Sequence, residues 1–485
     1  MAEILIIGGG VAGLSAGIYA QLSGHHATVC ERQAVAGGNL TGWQRGEYHI
    51  DNCIHWLTGT NPKTALYQMW TELGALGNVD VHQPSTLYTY EDEGIRLSLH
   101  FELEKMEEEL LSISPEDEKE IKSFIKAIKA VQTFKKLSGN DQKRNTFLSG
   151  LQAVPRLYRY FKMSTGELAM RFKSPYIQGF ITSMLGKDFA ALALLIVFAT
   201  FCGGNGGIPV GSSLAMAKRM TTRFLNLGGT LMLGKEATEI SEGETGAQIV
   251  EFSDGTMLTA DYVVIATEPN VAFEKLLGLA MPAAMEKHYK NPKMPRFSSI
   301  QCAFACKTDN LPFRSDFIFK LPKNEQEILK TENLIIREFS HEKRFAPKGE
   351  TIIQSLTFCD EKTCREFIEL RKNTVKYRAK KREFASLIQN AIERKFPQLD
   401  GKLRLIDVWT PATYHRYTNA EIGSYMAFLL PSKTIPKKLD NLVKGKPRVI
   451  LASQWLQAPG GLPIAAQVGK DAILRINKKE KRRKI

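Results

Sequence analysis

Hydrophobic and polar positions open the chain with a strand, a helix and a second strand. Apolar residues are continuous over residues 4–7, recur with helical spacing over residues 11–22 and dominate residues 27–30. A short apolar run bounded by glycines is typical of a buried strand, and recurrence at every third or fourth position is typical of a helix. Two buried strands joined by a helix predict a parallel sheet.

Elements of the same kind return later in the chain. They are a helix over residues 214–227, strands over 230–233, 248–252, 257–258 and 262–266, a hairpin turn over 253–255, a strand over 448–452 and a helix over 462–476. Because these elements are separated by segments of different character, we predict one α/β domain built from discontinuous pieces. Its pieces are residues 1–100, 203–290 and 436–485.

The intervening segments have another composition. Residues 102–137 are charged and helical in pattern, with a helix start at Ser114, and residues 297–430 mix strands with a long basic helix over 362–395. These features predict a second, mixed α+β domain that binds substrate and forms a lid. Its pieces are residues 101–202 and 291–435.

Two segments raise the question of membrane contact. The longest apolar run, residues 189–201, has 13 residues, which is short of the roughly 20 that a spanning helix needs, so it predicts a buried helix. Residues 147–172 interleave basic and aromatic side chains. That mixture suits a membrane interface, but an amphipathic helix that caps a core has the same pattern.

Composition narrows the class of protein. The chain has 485 residues, 43% of them hydrophobic and 24% charged, which indicates a globular protein of two or three folding units. The first seven residues contain an acid and no basic region, so they predict a strand rather than a signal peptide. The seven cysteines lack metal-ligand spacing, which indicates reduced thiols in the cytoplasm and no metal site.

The excess of basic residues favours a negatively charged binding partner. Lys and Arg number 65 against 51 Asp and Glu, and residues 478–484 alone hold six bases and one acid. No nucleic-acid-binding motif accompanies this tail, so no nucleic-acid partner is expected. An anionic membrane is the partner that the tail favours, although a solvated, frayed end explains it equally well.

The first loop carries a dinucleotide-binding fingerprint. Gly8, Gly10 and Gly13 have the GxGxxG spacing directly after a strand and at the start of a helix. Gly8 permits a tight turn, Gly10 lets backbone amides approach a pyrophosphate, and Gly13 allows close packing of helix on strand. Glu31 ends the second strand 23 residues after Gly8, where a carboxylate binds ribose hydroxyls.

Further motifs resemble those of FAD-dependent amine oxidase-like enzymes, and among these the phytoene desaturase group with its carotenoid isomerases and retinol saturases. The motifs are Glu31-Arg32, Gly37-Gly38-Asn39-Leu40, the segment 48–59, GNGGIPVGSS at 204–213, residues 251–267 and APGGLP at 458–463. The resemblance implies a Rossmann-type (GR2-like) domain that holds FAD noncovalently.

The resemblance also implies the cofactor-contacting residues. They are Gly8, Gly10, Ala12, Gly13, Glu31, Arg32, Gly37, Gly38, Asn39, His55, Ala237, Gln454, Gly460, Gly461, Leu462, Pro463 and Ile464. The chain departs from the family pattern at Ser453-Gln454, where members place Gly-Asp, and at Gly211-Ser212-Ser213, where a second glycine is usual. An amide can still form hydrogen bonds with a hydroxyl group, so the departure at Gln454 leaves flavin binding intact.

The C-terminal motif has a physical reading of its own. Pro463 lies in the first helical turn, where its missing N–H costs nothing, and Gly460 and Gly461 let the backbone approach a planar ring. A helix N-terminus at this point would stabilise negative charge on a reduced flavin.

No nucleophile with an adjacent base is evident, so covalent catalysis is not expected. His55 and His415 are candidate acids or bases, and each is equally well explained as a hydrogen-bonded structural residue. Tyr414, Arg416 and Tyr417 lie in a stretch that resembles the family's route toward the flavin, where they would line the path of the substrate.

These features predict an FAD-dependent oxidoreductase that acts on C–C or C=C bonds of a long, apolar isoprenoid or polyene. Desaturation, saturation and isomerisation remain open. Two alternatives also remain: a flavin amine oxidase, which would need an aromatic cage and a flavin-adjacent lysine, and a non-catalytic flavoprotein at a lipid surface. The expected partner is a small lipophilic substrate, and the expected location is the cytoplasm, with peripheral contact to an anionic membrane left open.

Overall fold

The computed structural model describes residues 1–137, 157–435 and 437–483. Within these ranges the strands are β1 (Glu3–Ile7), β2 (His26–Glu31), β3 (Gly42–Arg45), β4 (Tyr48–Asp51), β5 (Leu57–Thr58), β6 (Val81–His82), β7 (Thr86–Asp92), β8 (Ile95–His100), β9 (Gly206–Pro209), β10 (Thr230–Leu233), β11 (Ala237–Glu242), β12 (Gln248–Phe252), β13 (Met257–Ala260), β14 (Tyr262–Ile265), β15 (Ser298–Lys307), β16 (Asp316–Lys320), β17 (Asn333–Glu338), β18 (Glu350–Cys359), β19 (Arg404–Trp409), β20 (Leu442–Val443) and β21 (Lys446–Leu451).

The main helices are α1 (Val11–Leu22), α2 (Ala65–Glu72), α3 (Leu103–Ile113), α4 (Glu118–Leu137), α5 (Thr165–Ala169), α6 (Pro175–Ser183), α7 (Ala191–Cys202), α8 (Ser212–Asn226), α9 (Ala283–Tyr289), α10 (Lys323–Leu329), α11 (Glu361–Leu370), α12 (Thr374–Lys395), α13 (Pro411–Thr418) and α14 (Leu462–Arg483).

The first sheet has six strands in the order β10-β2-β1-β14-β21-β20, and its first five strands are parallel. The central strands are apolar throughout because helices α1, α8 and α14 cover one face and the antiparallel strands β11–β13 cover the other. Ile7 pairs with Cys30 and with Ile265, so the carboxyl ends of β1, β2 and β14 meet at one edge. That edge brings the Gly8 loop next to Glu31.

The second sheet has seven strands in the order β19-β15-β18-β17-β16-β7-β8. Helices α3, α4, α6 and α7 pack on one face, and α11 and α12 pack on the other. The predicted domain boundary at residue 100 is wrong for one hairpin. Strand β7 pairs in parallel with β16, so residues 86–100 belong to the second sheet and not to the first.

The apolar run at 189–201 forms a buried helix, as predicted. Leu194, Leu195, Phe198 and Phe201 of α7 are inaccessible to solvent and pack against α4 and the second sheet. No helix within the described residues is both long and apolar enough to cross a bilayer.

The predicted single helix over 362–395 is two helices. Helix α11 ends at Leu370, and Asn373 begins α12 by accepting a hydrogen bond from the backbone N–H of Lys376. An asparagine that caps a new helix in this way interrupts a basic pattern which otherwise looks continuous.

The last helix extends further than predicted. Helix α14 continues to Arg483 instead of ending near Ile476, and the Tyr262 hydroxyl of β14 donates to Glu480 at 2.8 Å. Ser15 of α1 donates to the carbonyl of Ala466, which ties the same helix to α1. The basic tail is therefore, at least as far as Arg483, a continuation of a packed helix.

Candidate functional site

A cavity of about 1190 Å³ lies where the carboxyl edge of the first sheet faces the second sheet. We call it the central cavity. All the residues that the sequence predicts as cofactor contacts line it, with the single exception of Gly13. One cavity is therefore lined by residues of the first loop, of segment 235–237 and of the start of α14.

The two glycine loops lie against each other at this wall. The Gly37 N–H donates to the carbonyl of Gly9 at 2.8 Å, and Gly8 has a φ of +103°, which favours glycine. A Cβ on Gly10 would meet only the Cα of Gly38 within 4 Å, at 3.9 Å, and would otherwise extend into open space. A Cβ on Gly13 would lie 1.8 Å from the Gly8 carbonyl. Gly10 therefore keeps the cavity clear, whereas Gly13 keeps α1 close to the loop.

Helix α1 directs its N-terminus toward the central cavity. Gly10 is its N-cap, the first turn contains no acidic side chain, and Gly10, Val11 and Ala12 line the cavity. The first turn itself supplies no negative charge, and the partial positive charge of a helix N-terminus suits an anionic group such as a pyrophosphate. The residues present fit the phosphate part of a dinucleotide.

Glu31 and Arg32 are held in place by neighbouring groups. The Glu31 carboxylate accepts from the Gly9 N–H at 2.7 Å and from the Gln33 N–H at 2.8 Å, and burial raises the pKa of this carboxyl. Arg32 forms an ion pair with Glu236 at 3.1 Å and donates to the carbonyl of Arg416. Glu236, which also lines the cavity, was not predicted from the sequence.

The C-terminal motif forms another part of the wall. Gly460 and Gly461 have φ values of +82° and +95°, and α14 begins directly after them. Gln454 accepts from the Gly461 N–H at 2.7 Å and donates to the Tyr425 carbonyl at 3.2 Å. This amide therefore braces the loop that precedes the helix.

Ser213 of the Gly211-Ser212-Ser213 segment bonds to Asp51 and to the backbone of Ile54. Its backbone N–H and its hydroxyl both donate to the buried carboxylate of Asp51, at 2.9 Å each, and its Oγ accepts from the Ile54 N–H at 2.8 Å. The loop that leads to His55 is fixed by these bonds.

The two candidate histidines have different positions. His55 lines the central cavity, and burial together with Arg337 lowers its pKa well below the usual value, so the ring is neutral. His415 does not line the cavity; its Nδ1 donates to the carbonyl of Ala420 at 2.8 Å. The structure brings His55 to the site and gives His415 a structural role within α13.

Sequence reasoning missed a neutral hydrogen-bond network beside His55. The Tyr414 hydroxyl donates to Asn52 at 3.0 Å and accepts from Gln301 at 2.8 Å, and all three residues line the cavity. Tyr414 and Tyr417 are at the cavity as predicted for the substrate route, whereas Arg416 is not. Burial raises the pKa of Tyr414, which keeps its hydroxyl protonated.

A cluster of charges that the sequence did not reveal joins the two sheets at this wall. We call Arg296 with Glu268, Glu361 and Glu421 the Arg296 cluster. The guanidinium lies 2.5 Å from Glu421, 2.9 Å from Glu361 and 3.6 Å from Glu268, and it is 4% exposed. Burial raises the pKa of Glu268, which follows β14, to about 7.

The part of the cavity farther from the glycine loops is largely apolar. It is walled by Leu87, Tyr88, Phe189, Ile196, Val197, Phe297, Ile318, Ile335, Leu356, Phe358, Leu429 and Leu430. Asp316 also lines this part, and burial raises the pKa of its carboxyl to about 7, beside Arg337 at 3.5 Å. Such walls suit a long apolar ligand better than a small charged one.

The chain is similar to flavin-containing proteins over most of its length. A family model described as flavin containing amine oxidoreductase matches residues 11–472. Prolycopene isomerase 1 of an Oncidium hybrid cultivar is 24% identical over 460 residues, which cover 90% of this chain and 76% of that protein. Prolycopene isomerase of Arabidopsis thaliana is 24% identical over 447 residues, 87% of this chain and 74% of that protein.

Solved structures share the fold. An oxidoreductase from Methanosarcina mazei has a TM-score of 0.61 at 15% identity, with 97% of this chain and 99% of that chain covered. Cyclohexylamine oxidase from Brevibacterium oxydans has a TM-score of 0.60 at 14% identity, with 99% of both chains covered. The α/β fold class predicted from the sequence is confirmed, and at these identities the likeness concerns the fold alone.

Proposed function

Because the chain belongs to the flavin containing amine oxidoreductase family, we propose that it binds FAD noncovalently and acts on carbon–carbon bonds of a long isoprenoid or polyene. The observation that carries the proposal is one continuous cavity that joins a dinucleotide cradle to a largely apolar chamber. When bound, the flavin supplies hydride transfer. The protein's own residues bind and orient the two partners and exclude water from their contact.

FAD fits the cradle in three parts. The N-terminus of α1 and the glycine loops would hold the pyrophosphate, Glu31 would hold the ribose, and the first turn of α14 would face the ring. Burial raises the pKa values of the Cys30 and Cys53 thiols at the cavity wall to about 12. A thiol that stays protonated is a poor nucleophile, which supports noncovalent binding.

The polar groups beside His55 support a substrate without charge. Asn52, Gln301 and Tyr414 satisfy one another by hydrogen bonds, and the imidazole of His55 is neutral. A reaction at a carbon–carbon bond of a polyene needs a dry surface and no ionised partner for the substrate. The similarity to prolycopene isomerases favours this substrate class over the others.

An amine substrate is the second candidate. The rings of Tyr414 and Tyr425 both line the cavity with centroids 5.5 Å apart, and an aromatic pair of this kind can bind a cationic amine. The fold shared with cyclohexylamine oxidase is compatible with it.

The cofactor part of the proposal is tested by releasing the cofactor. Acid precipitation of the purified protein should leave FAD in the supernatant, and flavin that stays in the pellet would show a covalent link instead. The lipid that copurifies, extracted and identified by mass spectrometry, should be an isoprenoid or polyene. A protein that neither contains flavin nor takes up added FAD contradicts the proposal.

Replacement of Glu31 by alanine should weaken FAD binding without abolishing it. Two backbone N–H groups, of Gly9 and Gln33, lose their acceptor, and the ribose loses its partner. The expected cost is about 1–3 kcal/mol, the usual penalty for buried groups left unpaired. Fluorescence titration of the apoprotein with FAD measures this cost, and Glu31→Gln, which keeps one acceptor oxygen, should lose less.

We also propose peripheral membrane contact, because a lipophilic substrate has to be collected from a bilayer. Residues 147–156 of the basic and aromatic segment lie outside the described residues. In the described part Tyr158 and Met170 are 55% and 75% exposed, whereas Tyr160 and Phe172 are buried. The exposure of Tyr158 and Met170 supports contact with a membrane surface. The burial of Tyr160 and Phe172 supports packing among the helices that cover the second sheet.

Deletion of residues 478–485 should lower both vesicle binding and stability. The deletion removes bases that attract anionic lipid, and it removes Glu480, the acceptor for Tyr262, and Lys479, which donates to the carbonyl of Pro447. The expected loss of stability is about 1–3 kcal/mol, the net contribution of two hydrogen bonds. Flotation with phosphatidylglycerol vesicles and urea unfolding measure the two effects. Equal binding of the full-length chain to neutral and anionic vesicles would contradict the electrostatic part.

A further inference from the structure

A second cavity, of about 730 Å³, lies between α9, residues 437–441 and α14. None of its lining residues lines the central cavity. His288, at its wall, packs on Phe428 with ring centroids 5.8 Å apart, and Phe428 packs on Trp455 at 5.1 Å. Trp455 lines the central cavity, so a layer of aromatic rings lies between the two cavities. The second cavity is therefore a separate site.

Its walls carry more positive than negative charge. Four of its lining residues are Lys or Arg, and two are Asp. Both acids are already paired, Asp471 with Lys438 and Asp440 with Arg475 at 3.0 Å. The ion pairs found among the described residues include neither Lys287 nor Lys437, so these two ammonium groups remain to meet an anion.

A buried amide adds a second, independent signal. Asn441 lines the cavity, is 5% exposed, and its Oδ1 has no hydrogen-bond partner within the described part of the chain. Its backbone is fixed, because its carbonyl accepts from the Leu451 N–H at 2.8 Å. A buried acceptor without a donor is costly, so a ligand that brings an O–H or N–H group would be stabilised here.

We propose that the second cavity binds a phosphate monoester that has an apolar part and a neighbouring hydroxyl group. Lys287 and Lys437 would hold the phosphate, since ammonium groups bind phosphate as point charges. The hydroxyl would donate to Asn441, and the apolar part would pack against Ala284, Met294 and Leu439. A soluble ester and the headgroup of lysophosphatidic acid, which keeps one free glycerol hydroxyl, share this chemistry.

Titration calorimetry with three probes tests the site. Inorganic phosphate should bind weakly, glycerol 3-phosphate more tightly, and monohexanoyl lysophosphatidic acid below its micelle concentration most tightly, because each adds one part of the ligand. The double variant Lys287→Glu with Lys437→Glu should weaken all three by about tenfold or more. Asn441→Leu should weaken glycerol 3-phosphate but leave inorganic phosphate unchanged.

A matched variant and a second assay complete the test. Lys362→Glu with Lys376→Glu makes the same charge change on α11 and α12, outside the cavity, and should bind all probes as the parent does. Flotation with vesicles that contain lysophosphatidic acid separates the sources: binding that the Lys287 and Lys437 variant loses assigns a lipid headgroup, and glycerol 3-phosphate binding alone assigns a soluble ester. No binding of any probe, or equal losses in both double variants, overturns the proposal. Flavin content measured on the same samples keeps this outcome separate from the cofactor claim.

Discussion

Purified Gly10→Val protein is expected to be folded and colourless. Gly10 has ordinary backbone angles, φ −71° and ψ −177°, so a side chain causes no strain in the loop. The added atoms would enter the space in front of the α1 N-terminus, where the pyrophosphate is proposed to bind. We expect binding of FAD to weaken by at least about 3 kcal/mol, or roughly 100-fold in Kd, the upper range for overfilling a packed site.

Circular dichroism and the visible flavin absorbance measure the two properties separately. The control is Gly13→Ala, whose Cβ would lie 1.8 Å from the backbone carbonyl of Gly8. The Gly13→Ala variant should lose both its fold and its flavin, because the contact joins two backbone segments that cannot move apart. A Gly10→Val protein that stays yellow would mean that the pyrophosphate does not bind at this helix end.

Replacement of Arg296 by methionine should cause the largest loss of stability. The guanidinium is buried among three carboxylates, and its removal leaves the buried Glu268 without a cation, while Glu361 and Glu421 keep only the exposed Arg365. Breaking a buried ion pair from one side typically costs about 3–5 kcal/mol. Lys122→Met is the control, because the pair between Lys122 and Glu118 is exposed and screened by solvent, so its loss should change stability little. Urea unfolding followed by circular dichroism compares the two variants.

The cost of Arg296→Met should depend on pH. The pKa of Glu268 is raised to about 7, above its ordinary value, so its contribution to stability is present at low pH and is lost as the pH rises through 7. Loss of Arg296 raises this pKa further. The loss of stability on replacing Arg296 should therefore be larger at pH 8 than at pH 6. At pH 6 Glu268 is mostly protonated, so the variant loses mainly the pairing of Glu421, whose pKa is lowered in the native protein. A penalty that is larger at pH 6 would contradict this assignment.

The backbone of the glycine loops beside the central cavity was predictable because its geometry is local. Gly8, Gly10 and Gly13 lie within one turn between a strand and a helix, and the start of α14 follows from Gly460, Gly461 and Pro463. Motifs of this kind constrain the backbone over a few residues, so their spacing in the chain is also their spacing in the fold.

The remainder of the cavity depends on contacts between distant parts of the chain. Tyr414 reaches Asn52 across 362 positions, and Arg296 meets Glu421 across 125. No local pattern marks such partners. The hairpin β7–β8 and the end of α14 were misplaced for the same reason, since the pairing of β7 with β16 and the bond from Tyr262 to Glu480 are set by the tertiary fold.

Anaerobic turnover tests the central claim most directly. The FAD-loaded enzyme, in its oxidised and its reduced form, is incubated with a poly-cis or an all-trans carotenoid or with cyclohexylamine, and the flavin spectrum and the extracted products are followed. The account predicts that a carotenoid is converted in its double-bond number or geometry, while the amine leaves the oxidised flavin unchanged. Reduction of the flavin by the amine, with both carotenoids recovered unaltered, would contradict it.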